Sequence, residues 1–84
     1  MTYRVHIKRS AEKEMRDLPD HVLRRVHQGI TALAANPYRQ GVRKLAGGLG
    51  FRIRVGDYRI IFSVDEAQRV IEVTAIRHRR EAYR

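Results

Sequence analysis

The sequence predicts an α+β domain in which an αα-hairpin packs on one face of an antiparallel sheet, in the order β-α-α-β-β-β. Three observations support this prediction. Residues 3–7 alternate between apolar and polar side chains, which is typical of a half-buried strand. Residues 11–34 carry two apolar stripes at helical spacing, interrupted at Pro19. Residues 51–62 form two alternating runs around Gly56-Asp57, which indicates a β-hairpin.

The size of the chain allows one domain, and we expect residues 1–84 to form it. There is no cysteine, which excludes a disulfide framework and a thiolate metal site. The histidines lack ligand-like spacing, and no phosphate-loop or dinucleotide fingerprint is present, so we expect neither metal nor cofactor. No apolar stretch approaches ~18 residues and no signal peptide is evident, so we expect a cytoplasmic protein without membrane contact.

The two predicted helices follow the first strand. Ser10 is a suitable cap for the first helix, which should end before Pro19. The second helix should begin at Pro19-Asp20 and end at Asn36-Pro37. Each helix has one apolar stripe, formed in the first by Ala11, Met15 and Leu18 and in the second by Val22, Leu23, Val26, Ile30, Leu33 and Ala34. The stripes predict a hairpin whose two helices share one core.

The Gly56-Asp57 turn fixes the predicted register of the hairpin. It places Val55 opposite Tyr58 and therefore Arg54 opposite Arg59. One side then carries the apolar set that must lie under the helices: Phe51, Ile53, Val55, Tyr58, Ile60 and Phe62. The other side, which we call the arginine face, carries Arg52, Arg54 and Arg59.

The last strand should follow a four-residue loop at residues 65–68. Strict alternation from that loop puts Ile71 and Val73 on the core side. By the same alternation, Glu72, Thr74, Ile76 and, if the strand continues, His78 lie on the arginine face.

The charge of the chain limits the kind of partner. The net charge is +9, with 15 arginines and three lysines, and the excess is concentrated in residues 39–59 and in the tail from Arg77. Arginine is the preferred residue for planar, bidentate contact with phosphate or carboxylate. The excess therefore indicates a polyanion or an acidic protein as partner, and it favours neither over the other.

The arginine face has two interpretations. The arginines could extend into solvent or pair with Glu72, which would be a structural arrangement only. Alternatively, the guanidinium groups hold a phosphodiester and stabilise charge that develops on a pentacovalent phosphorus. Because arginine cannot serve as an ordinary base, proton transfer would then fall to His78 or Tyr83.

Three stretches together resemble the RelE family of the RelE/ParE toxin superfamily. They are Lys44-Leu45 before a glycine-rich bend, the hairpin of residues 51–62, and the ending Ile76-Arg77-His78-Arg79-Arg80-Glu81-Ala82-Tyr83-Arg84. The resemblance covers essentially the whole chain. It implies a toxin of a type II toxin–antitoxin pair that cuts mRNA in the ribosome without a metal. In that reaction the 2′-hydroxyl attacks the adjacent phosphate and leaves a 2′,3′-cyclic phosphate and a 5′-hydroxyl.

The resemblance also implies the site residues. The catalytic set it implies is Arg52, Arg54, Arg59, His78, Arg79 and Tyr83. The RNA- and ribosome-binding set we expect is Arg39, Arg43, Lys44, Arg77, Arg80 and Arg84. The family often has lysines where this chain has Arg52 and Arg54, so we expect the proton-transfer roles to shift toward His78 and Tyr83.

The expected partners are the ribosome, mRNA and an acidic, RelB-like antitoxin that folds on binding. Two other functions remain open at this point. One is a ParE-like poison of DNA gyrase without nuclease activity, and the other is a small basic RNA-binding or ribosome-associated module. The His-x-x-Glu-x-Tyr ending favours the nuclease, because a gyrase poison has no use for those groups.

Overall fold

The computed structural model describes residues 2–48 and 50–78, in which two helices pack on one face of a five-stranded sheet. In chain order the elements are β1 (Arg4–Ile7), α1 (Arg9–Arg16), α2 (Asp20–Ala35), β2 (Arg43–Lys44), β3 (Phe51–Val55), β4 (Tyr58–Asp65) and β5 (Val70–His78). A short 3₁₀ turn at Ala46–Gly48 links β2 to β3. The predicted α+β class and αα-hairpin are confirmed. Neither helix is long and apolar enough to cross a membrane.

The strand order across the sheet is β1-β5-β4-β3-β2. β1 pairs in parallel with β5, with Arg4 opposite Val70 and Ile7 opposite Val73, whereas the other strand pairs are antiparallel. The sheet is therefore mixed, and the prediction of a wholly antiparallel sheet was wrong. The alternation of β1 reveals that one of its faces is buried, but it carries no information about which distant strand lies beside it.

Strand β2 was not predicted, since it consists of two exposed residues within a glycine-rich connection. It extends the sheet beyond β3 by pairing Arg43 with Arg52 and Lys44 with Phe51. The chain then enters β3 through Gly50, whose φ is +112°. A Cβ at this position would lie 2.5 Å from the carbonyl oxygen of Phe62, so this approach requires glycine.

The core lies between the helices and the sheet. Its buried members are Ala11, Met15, Val26, Ile30, Leu33, Ile60, Phe62, Ile71, Val73 and Ile76. Gly29 lets α2 approach the hairpin closely, because a Cβ there would lie 3.1 Å from Val55 and 3.2 Å from Ile60. The helix layer thus fixes the side of the hairpin that bears Ile60, and the arginine face points the other way.

The helix boundaries match the predictions except at one end. α2 begins at Asp20 after Pro19 and ends at Ala35, as predicted. α1 begins at Arg9, and the N–H of Glu12 donates to the carbonyl of Lys8 at 2.9 Å. Ser10 therefore lies inside the helix, and its predicted role as the cap was wrong. Because the chain leaves β1 directly into α1, the first turn starts one residue before the serine.

A cluster around Glu66 ties the β4–β5 turn to two other segments. The Tyr3 hydroxyl donates to Glu66 Oε1 at 2.9 Å, and the Tyr38 hydroxyl donates to Oε2. The Arg69 guanidinium lies 5.1 Å from the centre of the Tyr3 ring. The hydrogen bond to Glu66 raises the pKa of Tyr38 to about 12. The bonds from Tyr38 and Tyr3 lower the pKa of the Glu66 carboxyl.

Candidate functional site: the arginine face

The β3–β4 hairpin positions the first three arginines as the sequence predicts. The register places Val55 opposite Tyr58, Arg54 opposite Arg59, and Arg52 opposite Ile61. Ile60 and Phe62 are fully buried on the helix side. Arg52, Arg54 and Arg59 therefore project from the side of the sheet on which no described helix packs.

A β-bulge in β5 changes the predicted face of the residues that follow it. Ile61 pairs with Ala75 but Phe62 pairs with Val73, so Thr74 is an additional residue between the two pairs. The Thr74 hydroxyl donates to the carbonyl oxygen of Ile61 at 3.2 Å. Beyond the bulge Ile76 pairs with Ile60 and is 4% exposed, in the core. The prediction that Ile76 lies on the arginine face was wrong.

The same bulge exchanges the positions of Arg77 and His78. Arg77 pairs with Arg59 and so belongs to the arginine face, whereas His78 pairs with Tyr58 on the helix side. The His78 and Tyr58 rings meet edge to face, with their centroids 5.1 Å apart. The prediction that His78 lies on the arginine face was wrong, because it assumed an uninterrupted alternation along β5.

The arginine face thus has two rows in the described part of the chain. One row runs from Arg54 through Arg59 to Arg77 across three strands, and the other joins Arg52 to Arg43 on β2. This arrangement brings cationic side chains from four strands onto one open surface. Opposed like charges destabilise a sheet, so a bound anion would relieve their repulsion.

The guanidinium groups differ in exposure. Arg59 in the middle of its row is 9% exposed, Arg54 is exposed, and Arg52 and Arg77 are intermediate. The Arg54 Nε donates to the carbonyl oxygen of Gly56 at 3.0 Å, which holds that side chain along the hairpin. Arg77 Nη1 is paired with the Glu14 carboxylate from α1. A phosphate at this row would therefore meet one shielded guanidinium flanked by two more accessible ones.

The far end of the same face carries different chemistry. His6 pairs with Glu72 across β1 and β5, and its Nδ1 lies 3.1 Å from Glu72 Oε2. Glu72 also lies opposite Ser63 on β4. Ser63 lies four positions along β4 from Arg59, which is about 13 Å of strand. The interpretation in which Glu72 pairs with the arginines is therefore not supported, since Glu72 pairs with His6 instead.

The remaining predicted site residues divide into two groups. Arg39 lies in the connection after α2 and lines a groove of about 440 Å³ beside α2 and β3, which Arg54 also lines. Lys44 pairs with Phe51, which gives it the parity of the helix side. The tail residues lie outside the described residues: Arg79, Arg80, Tyr83 and Arg84. Within the described ranges, no group of three or more potential ligands is placed to hold a metal ion.

Two features of the site were missed because they depend on the bulge and on packing. The location of Arg77 beside Arg59 needs the additional residue Thr74, which no turn or glycine signal announces. The contact between Glu14 and Arg77 joins residues 63 positions apart. Glu14 looks like an ordinary helix carboxylate in the sequence.

Comparison with known proteins bears on the family and on the fold. A family described as ParE toxin of type II toxin–antitoxin system matches residues 5–83. The toxin RelG of Mycobacterium tuberculosis is 30% identical over 88 residues, covering 100% of this chain and 99% of the relative.

Solved structures show the same architecture. In the archaeal RelE–RelB complex from Pyrococcus horikoshii, the matching chain has a TM-score of 0.82 and 34% identity, with coverage of 94% of this chain and 97% of that one. A mutant of the Escherichia coli toxin RelE in the free state gives a TM-score of 0.83 at 21% identity, with 99% and 90% covered. The E. coli match supports the fold alone.

Proposed function

This chain belongs to the ParE toxin family of type II toxin–antitoxin systems, within the RelE/ParE superfamily, and from that premise we propose that it is a ribosome-dependent mRNA endoribonuclease. Its fold is RelE-like. The observation that carries the proposal is the row of Arg54, Arg59 and Arg77 on the open face of the sheet. Guanidinium groups fit the oxygens of a phosphodiester in number and geometry.

The proposed reaction is an internal transfer within the RNA. The 2′-hydroxyl oxygen attacks the adjacent phosphorus, the bond from phosphorus to the 5′-oxygen breaks, and the products are a 2′,3′-cyclic phosphate and a 5′-hydroxyl. The proton lost from the 2′-hydroxyl is balanced by the proton that the leaving 5′-oxygen gains. Arg54, Arg59 and Arg77 stabilise the negative charge that accumulates on the phosphorane oxygens.

Proton transfer needs a group other than these arginines, because a guanidinium does not give up its proton in proteins and cannot act as a base. His78 is a poor candidate, because it packs against Tyr58 on the helix side. We therefore assign the proton-transfer role to Tyr83 and a further phosphate contact to Arg79, both in the tail. We assign Arg52 and Arg43 to the RNA strand beside the cleaved phosphate. The ribosome contributes by aligning the 2′-hydroxyl for in-line attack.

The proposed partners follow from charge and from the relatives. The solved archaeal relative was crystallised as a complex of RelE with RelB, which supports a cognate antitoxin for this chain. A net charge of +9 favours an acidic one, and it also favours the anionic surface of the ribosome. Cleavage of mRNA on the ribosome would place the toxin in the cytoplasm.

A ParE-like gyrase poison is the second candidate. The family match to ParE toxins favours it. The arginine face favours it as well, because the row of Arg54, Arg59 and Arg77 carries cationic groups but no proton acceptor. Of the histidines in the described ranges, His21 and His27 lie on α2, His6 pairs with Glu72, and His78 faces Tyr58, so none lies beside the Arg59 row. A binding protein needs no proton acceptor there.

The test is cleavage of a defined mRNA in purified, programmed ribosomes, followed by analysis of the new ends. The proposal expects 5′-hydroxyl and 2′,3′-cyclic phosphate ends within the translated frame, and poor cutting of the same RNA without ribosomes. Arg59→Ala should abolish the cuts, whereas Arg24→Ala, which removes the same charge from an exposed position of α2, should preserve them. Intact mRNA together with inhibited gyrase supercoiling would favour the second candidate.

A further inference from the structure

The carboxylate of Glu14 bridges the helix layer and the edge of the sheet. β1 ends at Ile7, which pairs with Val73, and the Lys8 N–H donates to the Val73 carbonyl at 2.9 Å. Beyond this point β5 continues without β1, and α1 lies along its edge. There Glu14 Oε1 accepts a hydrogen bond from the Ile76 backbone N–H at 3.1 Å.

The second oxygen of the same carboxylate engages the next residue of β5. Glu14 Oε2 forms an ion pair with Arg77 Nη1. The side chains of Glu14 and Arg77 are 26% and 44% exposed, so the pair is partly shielded from water. Charge-assisted hydrogen bonds between a guanidinium and a carboxylate are among the strongest and most directional in proteins. One carboxylate therefore fixes both the backbone and the side chain of consecutive residues.

We propose that Glu14 is a positioning residue that holds the Arg77 guanidinium on the arginine face. This inference rests on the proposed function for the role of the phosphate. Arg77 stands opposite Arg59, whose like charge would otherwise drive the two side chains apart. The Glu14 carboxylate offsets that repulsion through Nη1. A guanidinium has five N–H donors, so Arg77 retains donors for a phosphate oxygen.

A purely structural role is the competing explanation, because the bond to Ile76 alone would protect the edge of β5. The two roles separate in Glu14→Gln. The amide oxygen of glutamine can still accept from the Ile76 N–H, but the residue no longer attracts a cation. Glu12→Gln is the matched control, since it makes the same charge change at an exposed position of the same helix.

The test is a double-mutant cycle in ribosome-dependent cleavage, with Glu14→Gln made in the wild type and in Arg77→Ala. Misplacement of a catalytic group by about 1 Å can cost roughly 10²-fold in rate. We expect Glu14→Gln to lower the cleavage rate by about 10- to 100-fold in the wild type, with ribosome affinity retained, and to lower it no further in Arg77→Ala. An equal loss in both backgrounds would overturn the positioning role.

A second measurement does not depend on nuclease activity. In nitrogen-15 NMR spectra, a guanidinium held by a carboxylate gives resolved, slowly exchanging N–H signals. We expect those of Arg77 to be lost in Glu14→Gln and kept in Glu12→Gln. If the signals respond in this way while the wild type cuts no mRNA, the positioning stands and the proposed reaction fails. If the Arg77 signals are unchanged in Glu14→Gln, the positioning role is contradicted, whatever the cleavage activity of the wild type.

Discussion

Arg59 and Arg77 lie directly opposite each other on β4 and β5, so two guanidinium groups leave the same face of the sheet side by side. Like charges in this arrangement destabilise a strand pair by roughly 0.2–1 kcal/mol. The helix layer reduces that cost on one side, since Glu14 pairs with Arg77. A phosphodiester bound between the two arginines would reduce it further. The pair therefore links the stability of the sheet edge to the chemistry proposed for the open face.

Replacing Arg59 by alanine should remove cleavage and preserve the fold. Loss of one charge-assisted contact to a transition state typically lowers the rate by about 10²–10³. Arg59 points away from the core cluster, so the variant should still unfold cooperatively. The measurements are ribosome-dependent cleavage and thermal unfolding of the same preparation.

Ile60→Ala is the neighbouring control for Arg59→Ala. Ile60 is fully buried, and its truncation should lower the free energy of unfolding by about 2–5 kcal/mol through a core cavity. The fraction that remains folded should cut mRNA at the wild-type rate. The proposed phosphate-binding role of the arginine face is contradicted if Arg59→Ala unfolds as readily as Ile60→Ala. It is also contradicted if Arg59→Ala cuts mRNA at the wild-type rate.

Substitutions at the neighbouring residues Arg77 and His78 should affect different properties of the protein, the first the cleavage rate and the second the stability. Arg77→Ala should reduce cleavage by about 10²–10³, because it removes a proposed phosphate contact. His78→Ala should leave the cleavage rate unchanged but lose the ring contact with Tyr58, and such contacts are worth about 0.5–1.5 kcal/mol. Cleavage rates and melting temperatures of both variants check this. Loss of activity in His78→Ala, with the fold intact, would return the histidine to the catalytic set.

This contrast shows where sequence reasoning reached its limit. The hairpin register could be predicted because Gly56-Asp57 announces its turn, and both strands alternate without interruption. The face of β5 could not be predicted beyond Thr74, because a bulge shifts the alternation by one residue without any glycine or proline to mark it. Arg77 and His78 consequently exchanged sides.

The strands that pair with β1 and β2 could not be predicted from the sequence either. The alternation of β1 records burial of one face, but the choice of β5 as its parallel partner is made by packing across the whole domain. β2 has only two residues, too few for any periodic pattern. Local signals thus predicted the elements, and long-range pairing decided how they meet.

The Glu66 cluster should make stability depend on pH at both ends of the scale. The pKa of Glu66 is lowered in the folded protein, chiefly by the hydrogen bond from Tyr38. The ionised carboxylate therefore stabilises the fold at pH values above the pKa that Glu66 has in the unfolded chain. This stabilisation is lost as the pH falls through the lower pKa of the folded protein. The pKa of Tyr38 is raised to about 12 in the folded protein, chiefly by its hydrogen bond to Glu66. The protonated hydroxyl therefore stabilises the fold below pH ~10, the ordinary pKa of tyrosine, and this stabilisation is lost as the pH rises toward 12.

The check is the melting temperature as a function of pH for the wild type, Glu66→Gln and Tyr38→Phe. Glu66→Gln should flatten the acid limb, because the variant has no carboxylate to protonate. Tyr38→Phe should flatten the alkaline limb for the corresponding reason. Acid and alkaline limbs that match the wild type in both variants would show that the cluster does not couple to folding.

Two glycines with positive φ should respond differently to alanine. Gly50→Ala places a Cβ against the Phe62 carbonyl oxygen, while Gly41→Ala meets no atom within 4 Å. Both substitutions carry the left-handed strain of about 1–2 kcal/mol, and only the first adds a clash with the backbone of β4. Chemical denaturation should therefore show a larger loss of stability for Gly50→Ala. Equal losses would mean that β3 can move away from β4 at this point.

The most direct test of the proposed function is a transcriptome-wide map of new RNA 5′ ends in cells that express the toxin or its Arg59→Ala variant. We expect the wild type to produce 5′-hydroxyl ends that accumulate within translated reading frames, in phase with the codons. The same positions should be intact in cells that express Arg59→Ala at an equal level. Toxicity from the wild type with no new ends in translated messages would contradict the account.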